Sequence, residues 1–157
     1  FVRPSRLSSD NSKVIDVIKH SIKWLKKNRV FKYQYLLLLQ ASSPFRTSKH
    51  IDKAIKFYFK NKKSDKDTLV SVNKAPKKTF WLLNKKNKYV NFVFKQFKNS
   101  RRQNNPVFFV PNGAIYLCKI KYLNKGFFNS RTLFFEMDKK SSIDIDTIED
   151  TKYEQFQ

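Results

Sequence analysis

The sequence predicts a three-layer α/β fold in which a mostly parallel sheet lies between helices. Three observations support this prediction. A near-continuous apolar run over residues 33–39 is typical of a strand buried on both faces of a parallel sheet. A helical pattern of apolar residues precedes this run, and a second one follows it after a polar loop. This order of helix, buried strand, loop and helix indicates α/β layering.

The first helix is predicted over residues 11–27, with Ser9 or Asp10 as its N-terminal cap. Its apolar stripe consists of Ile15, Ile18, Ile22 and Leu25. The strand that follows should place residues 36–39 in the centre of the sheet. The second helix is predicted to begin after a cap at Thr47 or Ser48.

The second half of the chain contains further strand candidates at residues 68–72, 79–83, 106–110 and 114–120. The last two flank Pro111, Asn112 and Gly113, and an Asn-Gly pair is a strong signal for a tight hairpin turn. Residues 84–103 interleave basic and aromatic side chains. Such a stretch can stack on single-stranded bases, but packing on its own core or on a partner subunit is the favoured interpretation.

The composition restricts the class of protein. The net charge is +22, from 34 Lys and Arg residues against 12 Asp and Glu residues. This charge fits a nucleic-acid-binding protein, but the lysines are scattered, so we favour compositional drift with a secondary role in attracting anionic substrates. The one cysteine, Cys118, excludes an internal disulfide and fits a reducing, cytoplasmic compartment. No apolar run approaches the roughly 20 residues of a membrane span.

An acidic motif near the end of the chain is the strongest chemical signal. In an extended segment, Asp144 and Asp146 point to one side, while Ile143 and Ile145 point to a core. Two carboxylates at this spacing suit Mg²⁺, which takes one or two protein carboxylates and completes its shell with water and phosphate. A solvated acidic loop is the alternative for an isolated motif of this kind.

A second candidate site is the polar loop after the apolar run. Ligands of open α/β sheets bind beyond the carboxyl ends of the strands, where this loop lies. Gln40 and Arg46 bracket the loop, which favours a binding role over a simple turn. Tyr116, Phe127 and Phe128 are, on residue type alone, core residues.

Taken together, these segments resemble the CMP-sialic acid synthetases, the acylneuraminate cytidylyltransferases. The resemblance covers nearly the whole chain, and it is carried by six stretches in the order in which that family has them. They are Arg3-Pro4 with Leu7 and Asp10, residues 37–46, Arg102-Gln103, residues 112–116, Phe127-Phe128 and residues 142–147. The acidic motif and residues 112–116 are the most specific of these stretches.

The resemblance implies a Rossmann-like nucleotidyltransferase that joins CTP to a nonulosonic acid and releases pyrophosphate. Asp144 and Asp146 would hold Mg²⁺ and act with Arg3 in catalysis, and Arg3 and Gln40 would line the substrate pocket. The implied sugar contacts are Gln103, Asn112, Tyr116, Phe127 and Phe128, with Arg46 in the adjoining loop. The family also implies a cytoplasmic homodimer in which residues 85–110 project from the core as a dimerisation segment.

The family opens with a strand and a glycine-rich loop that holds CTP, and the chain shows no counterpart to them. Residues 1–157 are therefore expected to form a single cytidylyltransferase domain that lacks its N-terminal CTP-binding part. Such a fragment can be inactive alone, so a catalytically silent relative is the first alternative. A basic nucleic-acid-binding module is less favoured, because Asp144 and Asp146 would repel a phosphate backbone without a metal ion.

Overall fold

The structure is a computed structural model that describes residues 2–9, 11–28, 32–147 and 150, with only the backbone for Arg102. Its α-helices are α1 (Val14–Lys27) and α2 (Ser48–Asn61). Its strands are β1 (Tyr35–Leu38), β2 (Thr68–Lys74), β3 (Leu83–Lys86), β4 (Tyr89–Phe92), β5 (Phe109–Lys119) and β6 (Thr132–Glu136). Short 3-10 helices lie at Ser5–Leu7, Lys77–Trp81, Lys95–Phe97, Arg102–Asn104, Ile120–Lys125 and Lys140–Ser142.

Four strands form the main sheet in the order β1-β5-β2-β6. The pairing of β2 with β6 is parallel, whereas β5 pairs antiparallel with both β1 and β2. The prediction of a mostly parallel sheet is therefore wrong for this part of the chain. The chain leaves β2 at Lys74 and returns beside it at Phe109, so β5 must run in the opposite direction.

The prediction that residues 36–39 form a central strand is also wrong, because β1 lies at the edge of the four described strands. The apolar run is nevertheless explained by the helices on its two faces. Leu36 and Leu38 pack in a cluster with Ile18 of α1, whereas Leu37 and Leu39 pack in a cluster with Tyr58 of α2. The predicted three layers, helix, sheet and helix, are thus present.

The two helices begin differently. The Thr47 side chain accepts a hydrogen bond from the His50 amide, which confirms the first of the two predicted caps, Thr47 and Ser48. The His50 ring accepts a hydrogen bond from the Thr47 amide in return, so the cap is reciprocal, which was not predicted. Helix α1 starts at Val14 after Lys13, which provides no side-chain cap, rather than at residue 11. Asp10, one of its two predicted caps, lies outside the described residues.

The predicted hairpin turn at residues 111–113 is instead an irregular part of one continuous strand, β5. Val70 of β2 pairs with Tyr116, but Val72 pairs with Pro111. Four residues of β5, 112–115, therefore lie opposite a single residue of β2, Ser71. We call these four residues the β5 bulge. Gly113 has φ +75°, a conformation that serves a bulge as well as a turn.

Residues 77–110 differ from the prediction in part. The strand predicted at 79–83 is mainly the 3-10 helix Lys77–Trp81, and β3 and β4 form a separate two-stranded ribbon. Phe80 is buried and contacts the rings of Phe97 and Phe108 at centroid distances of 4.6 and 4.8 Å. Part of the aromatic stretch therefore packs on itself, while the projecting dimerisation segment stays a prediction.

No helix in the described ranges is long and apolar enough to cross a membrane.

Candidate functional site

Three segments that are far apart in the sequence meet at the carboxyl end of β1. They are the β1 loop (residues 40–46), the β5 bulge and the acidic segment (residues 142–147). The Ile145 amide donates a hydrogen bond to the Ser42 carbonyl oxygen over 2.8 Å, which docks the acidic segment on the β1 loop. The sequence predicted both segments as parts of the site, and the structure brings them into direct contact.

Arg46 joins the β1 loop to the β5 bulge. Its Nη1 atom donates to the carbonyl oxygen of Gln40 over 2.9 Å and to that of Ala114 over 2.8 Å. The residue is half-buried, so these charge-assisted hydrogen bonds are shielded from water. Arg46 was predicted to bind substrate; its observed contacts hold the loop in place, and a substrate contact stays a prediction.

Gly113 lies where the three segments meet. A Cβ atom built on this glycine would be 2.6 Å from Oε1 of Gln40 and 3.2 Å from Oδ2 of Asp144. A side chain at this position would have to displace the Gln40 amide and shift the Asp144 carboxylate slightly. The bulge thereby places the Gln40 amide and the Asp144 carboxylate together on the side of Gly113 where a Cβ atom would lie.

A buried hydrogen-bond network fixes the bulge from behind. Asn112 accepts a hydrogen bond from the Ser71 hydroxyl over 2.6 Å and donates one to the Ser142 hydroxyl over 2.8 Å. The Ser142 hydroxyl in turn donates to the Asp138 carbonyl oxygen over 2.6 Å. Asn112 was predicted to contact the sugar; the structure gives its amide a role in joining the bulge to the acidic segment, and the sugar contact stays a prediction.

The acidic segment has the alternation that its sequence predicts, although it is an extended segment beside the sheet and not one of its strands. Asp144 and Asp146 are exposed, whereas Ile143 and Ile145 are half-buried. The amides of Asp146 and Thr147 donate to the Asp150 carboxylate over 3.1 and 2.8 Å. These bonds, chiefly the one from the Thr147 amide, hold the pKa of the Asp150 carboxyl below its usual value.

A cleft of about 420 Å³ opens beside this junction. Four of the predicted substrate-binding residues line it, namely Gln40, Tyr116, Phe127 and Phe128. The remaining lining residues come from α1, β1 and the turn after β5; they are Val14, Ile15, Lys19, Leu38, Asn124, Lys125 and Gly126. The lining thus combines apolar and aromatic side chains with a few polar groups, which is the usual composition of a small-molecule site.

Tyr116 connects the aromatic wall to the acidic segment. Its ring centroid lies 5.1 Å from that of Phe127 and 6.3 Å from that of Phe128. Burial, and to a smaller extent the negative charge of Asp144, raises the pKa of the Tyr116 hydroxyl. This hydroxyl therefore stays protonated at neutral pH and can donate a hydrogen bond into the cleft.

Six of the predicted site residues do not line this cleft, and four of them belong to the segments that meet beside it, namely Arg46, Asn112, Asp144 and Asp146. The other two, Arg3 and Gln103, belong neither to the lining nor to those segments. The Arg3 guanidinium donates a hydrogen bond to the Ser8 hydroxyl over 3.2 Å at an exposed position, and Gln103 is exposed in the 3-10 helix Arg102–Asn104. Neither residue is part of the cleft lining. Their catalytic and sugar-binding roles stay predictions.

Sequence reasoning missed several residues of the site. Ser71 is fully buried behind the bulge, and Lys19 and Lys125 line the cleft. A serine in the middle of an apolar strand is a usable signal, because a buried hydroxyl needs a partner. The two lysines carry no such signal among so many scattered lysines.

Comparison with known proteins gives a consistent result, although no family model matches the chain. The N-acylneuraminate cytidylyltransferase of Streptococcus agalactiae serotype III (strain NEM316) is 35% identical over 153 residues, which are 95% of this chain. The protein of the same name in Escherichia coli O18:K1:H7 (strain RS218 / NMEC) is 34% identical over 149 residues, or 93% of this chain. The chain belongs to the N-acylneuraminate cytidylyltransferase family.

A third relative is the post-translational flagellin modification protein B of Campylobacter coli. It is 30% identical over 160 residues, which cover 99% of this chain and 66% of that protein. The chain spans about 35% of the length of the Streptococcus relative and 34% of the Escherichia coli relative. The similarity therefore concerns one part of those longer enzymes.

Proposed function

We propose that the chain is part of a cytidylyltransferase that activates a nonulosonic acid with CTP, giving the CMP-sugar and pyrophosphate. The observation that carries this proposal is the meeting of Gln40, Gly113 and Asp144 beside the cleft, which Gln40 lines together with Tyr116, Phe127 and Phe128. This proximity of three motifs that are distant in sequence supports the proposal that they act in one site. The names of the Streptococcus and Escherichia coli relatives support the same chemistry.

The cleft suits a sugar acid with apolar and polar arms. The rings of Phe127 and Phe128 give an apolar wall for an acyl group or for the carbon skeleton of a glycerol-like arm. Gln40 and Tyr116 supply hydrogen-bonding groups for hydroxyls. Lys19 and Lys125 are cationic and lie on the same lining, which favours an anionic ligand.

The donor set of the acidic segment fits Mg²⁺. Asp144 and Asp146 present exposed carboxylates two positions apart, and the missing side chain of Gly113 leaves space beside Oδ2 of Asp144. Two carboxylates are the number that Mg²⁺ commonly takes from a protein. Within the described residues, no three His, Cys, Asp or Glu side chains gather into a group that could hold a metal ion.

In the proposed reaction, the anomeric hydroxyl oxygen of the sugar forms a bond to the α-phosphorus of CTP. The bond from that phosphorus to the bridging oxygen breaks, pyrophosphate leaves with the electron pair, and the hydroxyl proton passes to solvent. Mg²⁺ held by Asp144 and Asp146 would offset the negative charge that develops on the phosphate oxygens. The chain's own contribution is to hold the sugar on the aromatic wall, close to those carboxylates.

We also propose a homodimer through residues 85–110. Several apolar side chains in and beside this segment are exposed, among them Tyr89, Val90, Val107 and Phe109. The Phe109 ring lies 5.2 Å from the Phe134 ring, and Phe134 is exposed as well. Such a patch is typical of a protein interface, and a symmetric dimer would bury the same patch on both subunits.

The test uses the complete native polypeptide. Pyrophosphate release is measured with CTP, Mg²⁺ and, in turn, sialic, legionaminic and pseudaminic acid. We expect release with one of these sugars, and we expect Asp146→Asn to lower kcat roughly a hundredfold with little change in the KM for the sugar. The asparagine keeps the side-chain volume and removes the charge.

Two results would overturn the proposal. Release of no pyrophosphate with any of the three sugars would support a catalytically silent member of the family. Near-normal turnover of Asp146→Asn at saturating Mg²⁺ would remove the acidic segment from the mechanism. Light scattering at high micromolar concentration tests the dimer separately, and a monomer there contradicts it.

A further inference from the structure

Strand β2 carries two hydroxyl groups in its buried part, those of Thr68 and Ser71. Their residues are 1% and 0% exposed, so their hydroxyls depend on partners within the protein. The two residues lie three positions apart, and successive strand residues point to opposite faces of a sheet. The two hydroxyls therefore support different surroundings.

The Ser71 hydroxyl supports the acidic side of the site. It accepts a hydrogen bond from the Ile115 amide over 2.7 Å and donates one to Oδ1 of Asn112 over 2.6 Å. Asn112 then donates to Ser142, two residues before Asp144. Gly113, the neighbour of Asn112, is the residue that lies against the Asp144 carboxylate. Two links therefore run from Ser71 to Asp144.

The Thr68 hydroxyl supports the aromatic side. It donates a hydrogen bond to the Phe127 carbonyl oxygen over 2.6 Å and lies 3.0 Å from the Thr132 hydroxyl. Thr132 also donates to the Phe127 carbonyl oxygen, over 3.2 Å. The backbone that carries Phe127 and Phe128 is thus held to β2 and β6 by two hydroxyl groups.

We propose that Ser71 and Thr68 are positioning residues with separable effects: Ser71 holds the carboxylate side of the site, and Thr68 holds the sugar-binding wall. Neither residue lines the cleft, so each acts through the group that it holds. The inference rests on the proposed cytidylyl transfer for its kinetic part. Its metal-binding part can be measured without turnover.

The proposal predicts two different kinetic changes. Ser71→Ala frees the bulge and the acidic segment, so we expect kcat to fall at least tenfold while the KM for the sugar changes less than threefold. Thr68→Val keeps the side-chain shape and loses one of the two bonds to the Phe127 carbonyl. We expect it to raise the KM for the sugar about fivefold, with kcat and the KM for CTP nearly unchanged.

Binding of Mn²⁺ alone, followed by electron paramagnetic resonance on the complete native polypeptide, gives a readout without turnover. We expect Ser71→Ala to weaken Mn²⁺ binding about tenfold and Thr68→Val to change it less than twofold. Tyr58→Phe is the matched control. This variant also removes a buried hydroxyl. The Tyr58 hydroxyl donates to the Asp67 carbonyl oxygen over a distance of 2.9 Å, and this hydrogen bond does not involve the acidic segment.

The outcomes separate this inference from the proposed function. If Tyr58→Phe weakens Mn²⁺ binding as much as Ser71→Ala, Ser71 has only a general structural role and the inference is wrong. If the unmodified protein binds no Mn²⁺, the metal half of the inference is wrong. Weaker Mn²⁺ binding by Ser71→Ala in a protein without cytidylyl transfer would support the inference and overturn the function.

Should Ser71→Ala fail to fold, Ser142→Ala breaks the same link further out, and unchanged Mn²⁺ binding in that variant overturns the proposal.

Discussion

Gly113 lies so close to the Gln40 side chain that a methyl group on its Cα would be 2.6 Å from the Gln40 amide oxygen. The same methyl group would be 3.2 Å from Oδ2 of Asp144. With φ at +75°, the backbone at this position is also one that other residues rarely adopt. The position therefore favours glycine, both for its backbone conformation and for the placement of the Gln40 amide beside Asp144.

We expect Gly113→Ala to lose activity beyond its loss of stability. The positive φ alone should cost about 1–3 kcal/mol in the free energy of unfolding. The added methyl group should also push the Gln40 amide, the end of a flexible side chain, away from its place beside Asp144 and lower kcat about tenfold. Urea unfolding and steady-state kinetics of the complete native polypeptide measure the two effects.

Gly126→Ala is the control for strain without a clash. Gly126 also has a positive φ, +74°, but an added Cβ would meet no atom within 4 Å. We expect a similar loss of stability, and because Gly126 lines the cleft, its effect on activity should fall on the KM for the sugar more than on kcat. Equal falls in kcat for the two variants would contradict the assignment of Gly113 to the junction of the site.

Arg46 offers a test of support against direct substrate contact. Its guanidinium donates to the carbonyl oxygens of Gln40 and Ala114, so Arg46→Gln should lower the free energy of unfolding by about 2 kcal/mol. Arg46→Lys should lower the free energy of unfolding by a smaller amount, because an ammonium group can still donate to one of the two carbonyl oxygens. A raised KM with unchanged stability in Arg46→Gln would instead indicate that the side chain binds substrate.

Cys118 should be chemically inert in the folded protein. Its residue is 1% exposed, and burial raises the pKa of the thiol to about 11. The thiolate is the reactive form, so a disulfide reagent at pH 8 should react slowly with the native protein and rapidly in denaturant. Cys118 is the one cysteine of the sequence, so one thiol per chain is expected after unfolding. Native reaction at the denatured rate would show that the strand is not packed as described.

Much of the site could be predicted because its signals are local. The acidic segment shows its alternation within four residues, and the β1 loop follows an apolar run directly. Helix α2 was likewise predicted with a cap at Thr47 or Ser48, and the cap, which is Thr47, depends on neighbouring residues alone. In each case the sequence signal and the structure lie within one stretch of chain.

The errors arise where a distant contact decides the structure. An Asn-Gly pair allows positive φ, which serves a turn or a bulge equally, and only the pairing of β5 with β2 makes it a bulge. The apolar run at β1 reflects the burial of its two faces by two helices. Such burial does not depend on how many strands pair with β1, so the run cannot distinguish an edge strand from a central one. Strand β5 runs antiparallel because the chain returns at Phe109 beside Lys74, which no local pattern reveals.

Asp67 carries the clearest prediction for pH dependence. Its carboxylate accepts hydrogen bonds from the amides of Lys63 and Ser64 over 2.6 and 2.9 Å and from Nε of Arg131 over 2.5 Å. Burial alone would raise its pKa, but the Arg131 guanidinium and the two amides together hold the pKa below its usual value. The ionised form is therefore the one that stabilises the fold.

The sign of the effect follows from this lowered pKa. A carboxyl group with a lower pKa in the folded state contributes stability above its unfolded pKa of about 3.9 and loses it as the pH falls through the folded value. Asp67→Asn should therefore lower the free energy of unfolding at pH 7 by about 2 kcal/mol and should remove part of the acid sensitivity below pH 4.

Asp65→Asn is the exposed control: its ion pairs with Lys119 and Lys62, over 2.6 and 3.2 Å, are open to solvent and should weaken with added salt. Urea unfolding from pH 3 to pH 7 measures both variants. The assignment is wrong if Asp67→Asn unfolds with the same stability as the unmodified protein at pH 7, because the buried carboxylate would then contribute nothing that an uncharged amide cannot replace.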